Sequence, residues 1–165
     1  MPEFLKIRVK SITFDFNTKS PIIFLETFDG SMNLSMVIGD EEAYSITLSL
    51  AKKEPPRPLT HNLLLNILDE FRIELVKVII YKLQNNTFFA SLILKKGDDI
   101  YNFDARPSDS IALALRKEAD IYVEKSLLTN VFGKIDKNEI LDLEYFKTKK
   151  FLDSIIPENF GKLNI

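Results

Sequence analysis

A single spacing constrains this chain more than any other feature. Gly30 and Gly97 each sit in a turn between alternating apolar runs, and they lie 67 residues apart. The same shift, without gaps, carries Val9 onto Val76, Lys10 onto Lys77, Ile12 onto Ile79 and Phe14 onto Tyr81. It also carries Leu25 onto Leu92 and Leu48 onto Leu115. Period-two alternation predicts strands over residues 3–16, 21–28 and 31–38, and again over 73–83, 87–94 and 100–104. A helical spacing follows each triplet, over 41–53 (Ala43, Ile46, Leu50 and Ala51 apolar) and over 109–118. The pattern reads as two tandem β-β-β-α units. A further helix over 61–71, with Leu64, Ile67 and Leu68 turned inward, is inserted between them, and 121–123 is a short strand. A three-stranded unit is too small to bury both faces alone. The two are therefore expected to pack as one α+β domain over residues 1–129, with a mixed or antiparallel sheet.

Local signals set the expected boundaries. Pro55-Pro56-Arg57-Pro58 should stop the first helix, because proline lacks an amide donor and restrains its predecessor. Thr60 and Ser108 read as N-caps of the next two helices. Residues 138–156 carry Ile140, Leu143, Phe146, Leu152 and Ile155, an amphipathic pattern. Residues 130–165 thus read as a C-terminal helical extension, docked either on the domain or on a second subunit. Exposed strand edges and this segment would suit a homodimer or higher homo-oligomer.

Composition narrows the chemistry. Cysteine is absent, which excludes disulfides, thiolate metal sites and cysteine nucleophiles. No stretch approaches the roughly 18–20 apolar residues of a membrane span, and the first ten residues hold no apolar signal region, so a cytoplasmic protein is expected. A net charge of −2 gives no basic footprint for tight nucleic-acid binding, although it allows a weak or transient contact. Lys147, Lys149 and Lys150 cluster among acidic residues, the pattern of a solvated helix face. Phosphate-loop, Rossmann and zincin patterns are missing, and no acid–histidine spacing suggests a hydrolytic triad. Phe88, Phe89, Tyr101 and Phe103 alternate as a buried sheet face would, more than as a base-stacking platform.

Three segments carry a resemblance. The run from Asp104 to Arg116, DARPSDSIALALR, is similar to the D-x-RPSDAIALALR signature of the bifunctional nuclease family, departing at Ser110. Pro56 to Leu64, PRPLTHNLL, resembles its PRPLTHDLL segment, with Asn62 where aspartate is common. Ile38-Gly39 followed by Glu42-Ala43 matches an IG-x-x-EA element. Leu34-Ser35-Met36-Val37 departs from the family's Leu-Pro-Ile-Trp. The resemblance spans roughly residues 9–123. It implies a hydrolase acting on phosphodiester bonds of DNA and RNA, with weak sequence preference.

Such hydrolysis needs an activated water and neutralised charge at phosphorus, and carboxylates holding Mg²⁺ or Mn²⁺ are the usual supply. Under the 67-residue shift Glu42 falls on Asp109, so both stand in the first turn of equivalent helices. Packed together, they would face one crevice, with Asp104 nearby, as catalytic groups or metal ligands. Each also offsets a helix dipole and needs no function for that. Arg57 and Arg106 each precede a proline and a helix start, with Thr60 and Ser108 beside them, forming candidate phosphate-binding corners. Either arginine could instead be locked in an ion pair with Glu42, Asp104 or Asp109. Arg116, deep in its helix, reads as a surface or salt-bridge residue. His61, the one histidine, is a candidate general acid or base, or a structural hydrogen-bonding group. The alternative to a nuclease is a non-enzymatic protein-binding or regulatory module whose motifs are structural.

Overall fold

The chain reverses where its turn chemistry permits. In the computed structural model, which describes residues 1–15 and 19–130, Gly30 and Gly97 stand at φ +69° and +61°, the left-handed region that glycine enters without a Cβ penalty. Asn85 and Asn86 both adopt positive φ, as a two-residue hairpin turn requires. The first triplet is β1 (Phe4–Asp15), β2 (Ser20–Thr27) and β3 (Met32–Val37), followed by α1 (Asp40–Leu50). After α2 (Thr60–Glu70), the second triplet is β4 (Glu74–Gln84), β5 (Thr87–Lys96) and β6 (Asp99–Ala105), followed by α3 (Pro107–Lys117). β7 (Asp120–Glu124), a 3-10 turn (Lys125–Leu127) and β8 (Thr129–Asn130) complete the described chain. A shift of 67 carries α1 onto α3 end to end. The helix expected over 138–156 and the lysines near 147–150 lie outside the described residues.

The strands form one eight-stranded sheet in the order β6-β5-β4-β7-β1-β2-β3-β8. β7 stands between the two meanders, antiparallel to β1 and parallel to β4, which makes the sheet mixed and the fold α+β. The strand that joins the halves thus belongs to neither triplet. Irregularities in register fall at Val9/Ser11, Leu75/Lys77 and Ile80/Lys82.

The core lies between the sheet and the helices. Ile23, Leu25, Val78, Ile80 and Val123 from the strands meet Ile46, Ile111 and Leu113 from α1 and α3, all almost fully buried. Each such side chain contributes about 1.5–3 kcal/mol relative to an exposed one. Ala43, Ser45, Ser110, Ala112 and Ala114 are buried small residues, which let α1 and α3 lie against each other.

Several boundaries differ from expectation. Thr60 is the first residue of α2 and Leu59 is its N-cap; Ser108 is the second residue of α3 and Arg106 is its N-cap. The residue before a proline is pushed to extended geometry, so Arg106 must stand outside the helix that Pro107 opens. α1 ends at Leu50, before the proline run. Lys52 turns left-handed at φ +52° and the Lys53 amide bonds to the Leu48 carbonyl, closing the helix locally. Leu50 is consequently exposed. In α2, Leu65 and Leu68 are buried while Leu63, Leu64 and Ile67 are exposed. Five apolar residues within positions 63–68 offer more than one stripe, and only packing chooses among them. Tyr101 and Phe103 are exposed as well, and Phe88 and Phe89 are only partly buried. β6 is an edge strand, so the alternation that suits a buried face meets no cover there.

Candidate functional site

The site is assembled by the first turns of α1, α2 and α3. Glu42 and Asp109 are each the third residue of their helix, following Gly39 and Arg106 as N-caps. At Gly39 an added Cβ would run into the Glu42 carboxylate, so the missing side chain lets Glu42 fold back over its own helix start. At the equivalent position of α3 stands Arg106, whose guanidinium reaches both carboxylates. Its Nε donates to Asp109 Oδ2 at 2.7 Å and its Nη2 to Asp109 Oδ1 at 3.1 Å. Nη2 also donates to Glu42 Oε1. The two helix starts therefore share one cation. Arg106 is 67% exposed, against 28% for Asp109 and 13% for Glu42, so the acids form the floor and the guanidinium the lid.

Behind Asp109 lies His61. Its Nε2 bonds to Asp109 Oδ1 at 2.9 Å and its Nδ1 to Ser45 Oγ at 2.8 Å. Burial disfavours the Asp109 carboxylate, but hydrogen bonds from Arg106 and His61 outweigh it and hold the carboxyl below its ordinary range. Asp109, followed by Glu42, binds the Arg106 proton more firmly than usual against a smaller cost of desolvation. The Asp109–His61–Ser45 chain has the composition of a hydrolytic triad that no local spacing announced. Ser45 is 1% exposed, however, so its hydroxyl cannot reach a substrate.

Arg116 also differs from its expected role. Its guanidinium is half-buried and donates to two carbonyls, Ala112 and, across the helix interface, Ser45 at 2.9 Å. Burial lowers its proton affinity below the ordinary arginine value. α1 is thus held by both ends of α3, at its first turn through Glu42 and at its middle through Ser45.

Of the residues singled out in the sequence, Glu42, Arg106, Asp109 and His61 come together. Arg57, Asp104, Thr60 and Ser108 do not join their hydrogen-bond network. Arg57 and Asp104 are exposed and make no side-chain bond to a described residue, Thr60 is exposed at the α2 start, and Ser108 is buried. Ser45 and Gly39 complete the site. Ser45 lacked any signal, being 16 residues from its partner, whereas Gly39 belonged to a recognised element without a role.

Glu42 and Asp109 offer oxygens suited to a hard cation. As placed, both are bonded to Arg106, and no group of three or more His, Asp or Glu among the described residues is arranged to hold a metal ion. These side chains do not fit Mg²⁺ or Mn²⁺ in this arrangement.

Comparison with known proteins bears on the same segments. An uncharacterized Mycobacterium tuberculosis protein, matched in two strains, is 36% identical over 163 residues, covering 94% of this chain and 97% of its own length. Bifunctional nuclease 1 of Arabidopsis thaliana is 27% identical over 111 residues, covering 65% of this chain and 34% of its own. The model of the bifunctional nuclease domain matches residues 23–135, which hold all three motif segments and every residue of the site described above. This chain belongs to the bifunctional nuclease domain family.

Proposed function

We propose that the protein is a cytoplasmic nuclease that hydrolyses phosphodiester bonds of DNA and RNA with weak sequence preference. The observation that carries this reading is the meeting of two separate motif segments at one exposed guanidinium, with the third joined to it through Asp109. Arg106 is aimed by two carboxylates, and its Nη1 has no bond to a described residue, leaving a fork edge for a phosphate oxygen. Charge developing at phosphorus would be met by a cation already oriented, with little reorganisation. Asp109, held ionised, is a poor proton acceptor near neutral pH, and its role is to orient Arg106. Asp104 and Arg57, exposed and unspent, are assigned the water and a second phosphate contact. The net charge of −2 agrees with weak or transient nucleic-acid binding. Dependence on Mg²⁺ or Mn²⁺ would appear as turnover lost in EDTA.

A second reading has its own support. Both nitrogens of His61 and both carboxylates are engaged within the fold, as a structural lock in a protein-binding module would require. Cleavage of labelled single-stranded RNA and DNA by wild type, Arg106→Lys and Asp109→Ala, each with Mg²⁺, Mn²⁺ or EDTA, separates the two. Turnover in wild type that both folded variants lose supports the nuclease. No turnover under any condition supports the module. A homodimer, suggested by the exposed β6 edge, is tested by light scattering on the same samples.

A further inference from the structure

The hydroxyl groups of α1 are not used alike. Thr47 Oγ1 donates to the Ala43 carbonyl at 2.7 Å and Ser49 Oγ to the Ser45 carbonyl at 2.9 Å, the ordinary outlet for a helical hydroxyl. In α3, Ser110 does the same toward Arg106. Ser45 is more deeply buried than Thr47 or Ser49, and its hydroxyl makes one side-chain bond among the described residues, to His61 Nδ1. Leaving a buried hydroxyl proton without an acceptor carries the full cost of its desolvation. The Ser45 hydroxyl therefore donates to Nδ1, which must be the bare nitrogen of the ring. The other side of the ring supplies the complementary half. Asp109, as a carboxylate, only accepts, so the Nε2 facing it must carry the hydrogen.

We infer that Ser45 is a positioning residue. It fixes His61 as the neutral Nε2–H tautomer, so that the imidazole donates to Asp109 and holds that carboxylate square to Arg106. Arg116 supports the arrangement by anchoring the Ser45 carbonyl from α3, which gives the last arginine of the RPSD segment a structural reason. With its side chain 13% exposed, His61 has little water with which to exchange these bonds. The ring transmits order from the α1–α3 interface to the site, while the serine never meets a substrate. The consequence for turnover rests on the nuclease reading, whereas the tautomer does not.

His61 is the one histidine, so its ring nitrogens are read without assignment in a long-range ¹H–¹⁵N spectrum of the full-length chain labelled at histidine. Under mildly alkaline conditions, wild type should show one tautomer with hydrogen on Nε2. A predominant Nδ1–H form overturns the inference without any variant being made. Ser45→Ala should show loss of the single tautomer to a mixture, with circular dichroism confirming the fold. A folded Ser45→Ala protein that keeps the wild-type spectrum removes Ser45 from the role. If wild type cleaves nucleic acid, Ser45→Ala should lower kcat about tenfold with little change in KM, the size typical of lost outer hydrogen-bond partners. A fall in KM alone, or unchanged kcat, overturns the positioning role. If wild type does not cleave at all, the nuclease reading fails while the spectrum still decides the tautomer.

Discussion

α1 and α3 occupy equivalent places after their strand triplets, yet they bring different halves of the site. α1 opens with three acids, Asp40, Glu41 and Glu42, behind a bare glycine cap, and has no basic residue in its last turn. α3 opens on Arg106-Pro107 with one acid, Asp109, and ends in Arg116 and Lys117. The α1 start therefore offers anion without a counter-charge, and α3 supplies it. The difference extends inward. Asp109 is backed by His61 and Ser45, whereas Glu42 leans on its own helix start and on Arg106. Equivalent helical positions thus carry one carboxylate built into a relay and one that closes the pair.

The strongest blow to this contrast is Asp109→Ala. It removes the acceptor of both Arg106 and His61, and should cost about 1–3 kcal/mol in urea unfolding while abolishing any cleavage. Glu42→Gln should cost less than half as much, and equal losses would erase the asymmetry. Double-mutant cycles sharpen the point. The His61–Asp109 pair, mostly buried, should couple by about 1–2 kcal/mol, while Glu42–Arg106 should couple by under about 1 kcal/mol because the guanidinium is largely exposed. A larger coupling on the arginine side would reverse the assignment. Gly39→Ala should destabilise by about 1 kcal/mol, because the new Cβ displaces Glu42, and Glu42→Ala in the same background should recover most of that loss.

The smallest effect is in acid. A carboxyl whose folded pKa is depressed adds stability that is present above the unfolded value, about 3.9, and fades as pH falls through the folded one. The deficit of Asp109→Ala should therefore hold from neutral pH to about 4 and shrink below it. Asp29, held at about 2 by Thr27 and Ser31 in the β2–β3 turn, should keep its contribution well below pH 4. Melting curves of Asp29→Ala and Asp109→Ala against pH compare the two directly.

Turn residues explain why so much of the fold was legible. Gly30, Gly97 and the Asn85-Asn86 pair impose left-handed geometry that few other residues accept, so hairpins were readable residue by residue. Arg106-Pro107 likewise announces a helix start, although the cap itself falls before Ser108. α2 was less legible, because its dense leucine run has no single face until α3 chooses one. The aromatic residues of β6 failed for a related reason: alternation gives the side of the sheet, and it does not say whether anything covers that side.

By itself the sequence determined the order of the strands and helices up to β7, the glycine and asparagine turns, the α+β class and the two carboxylates at matching helix positions, because each depends on bonds within a few residues. Only the tertiary structure decided that β7 would stand between the meanders and that α1 and α3 would share Arg106. It also decided that Ser45 would face His61 across 16 residues of chain. Those pairings depend on which small side chains let two helices touch, and no local spacing encodes the distance between surfaces that meet only after the core has closed.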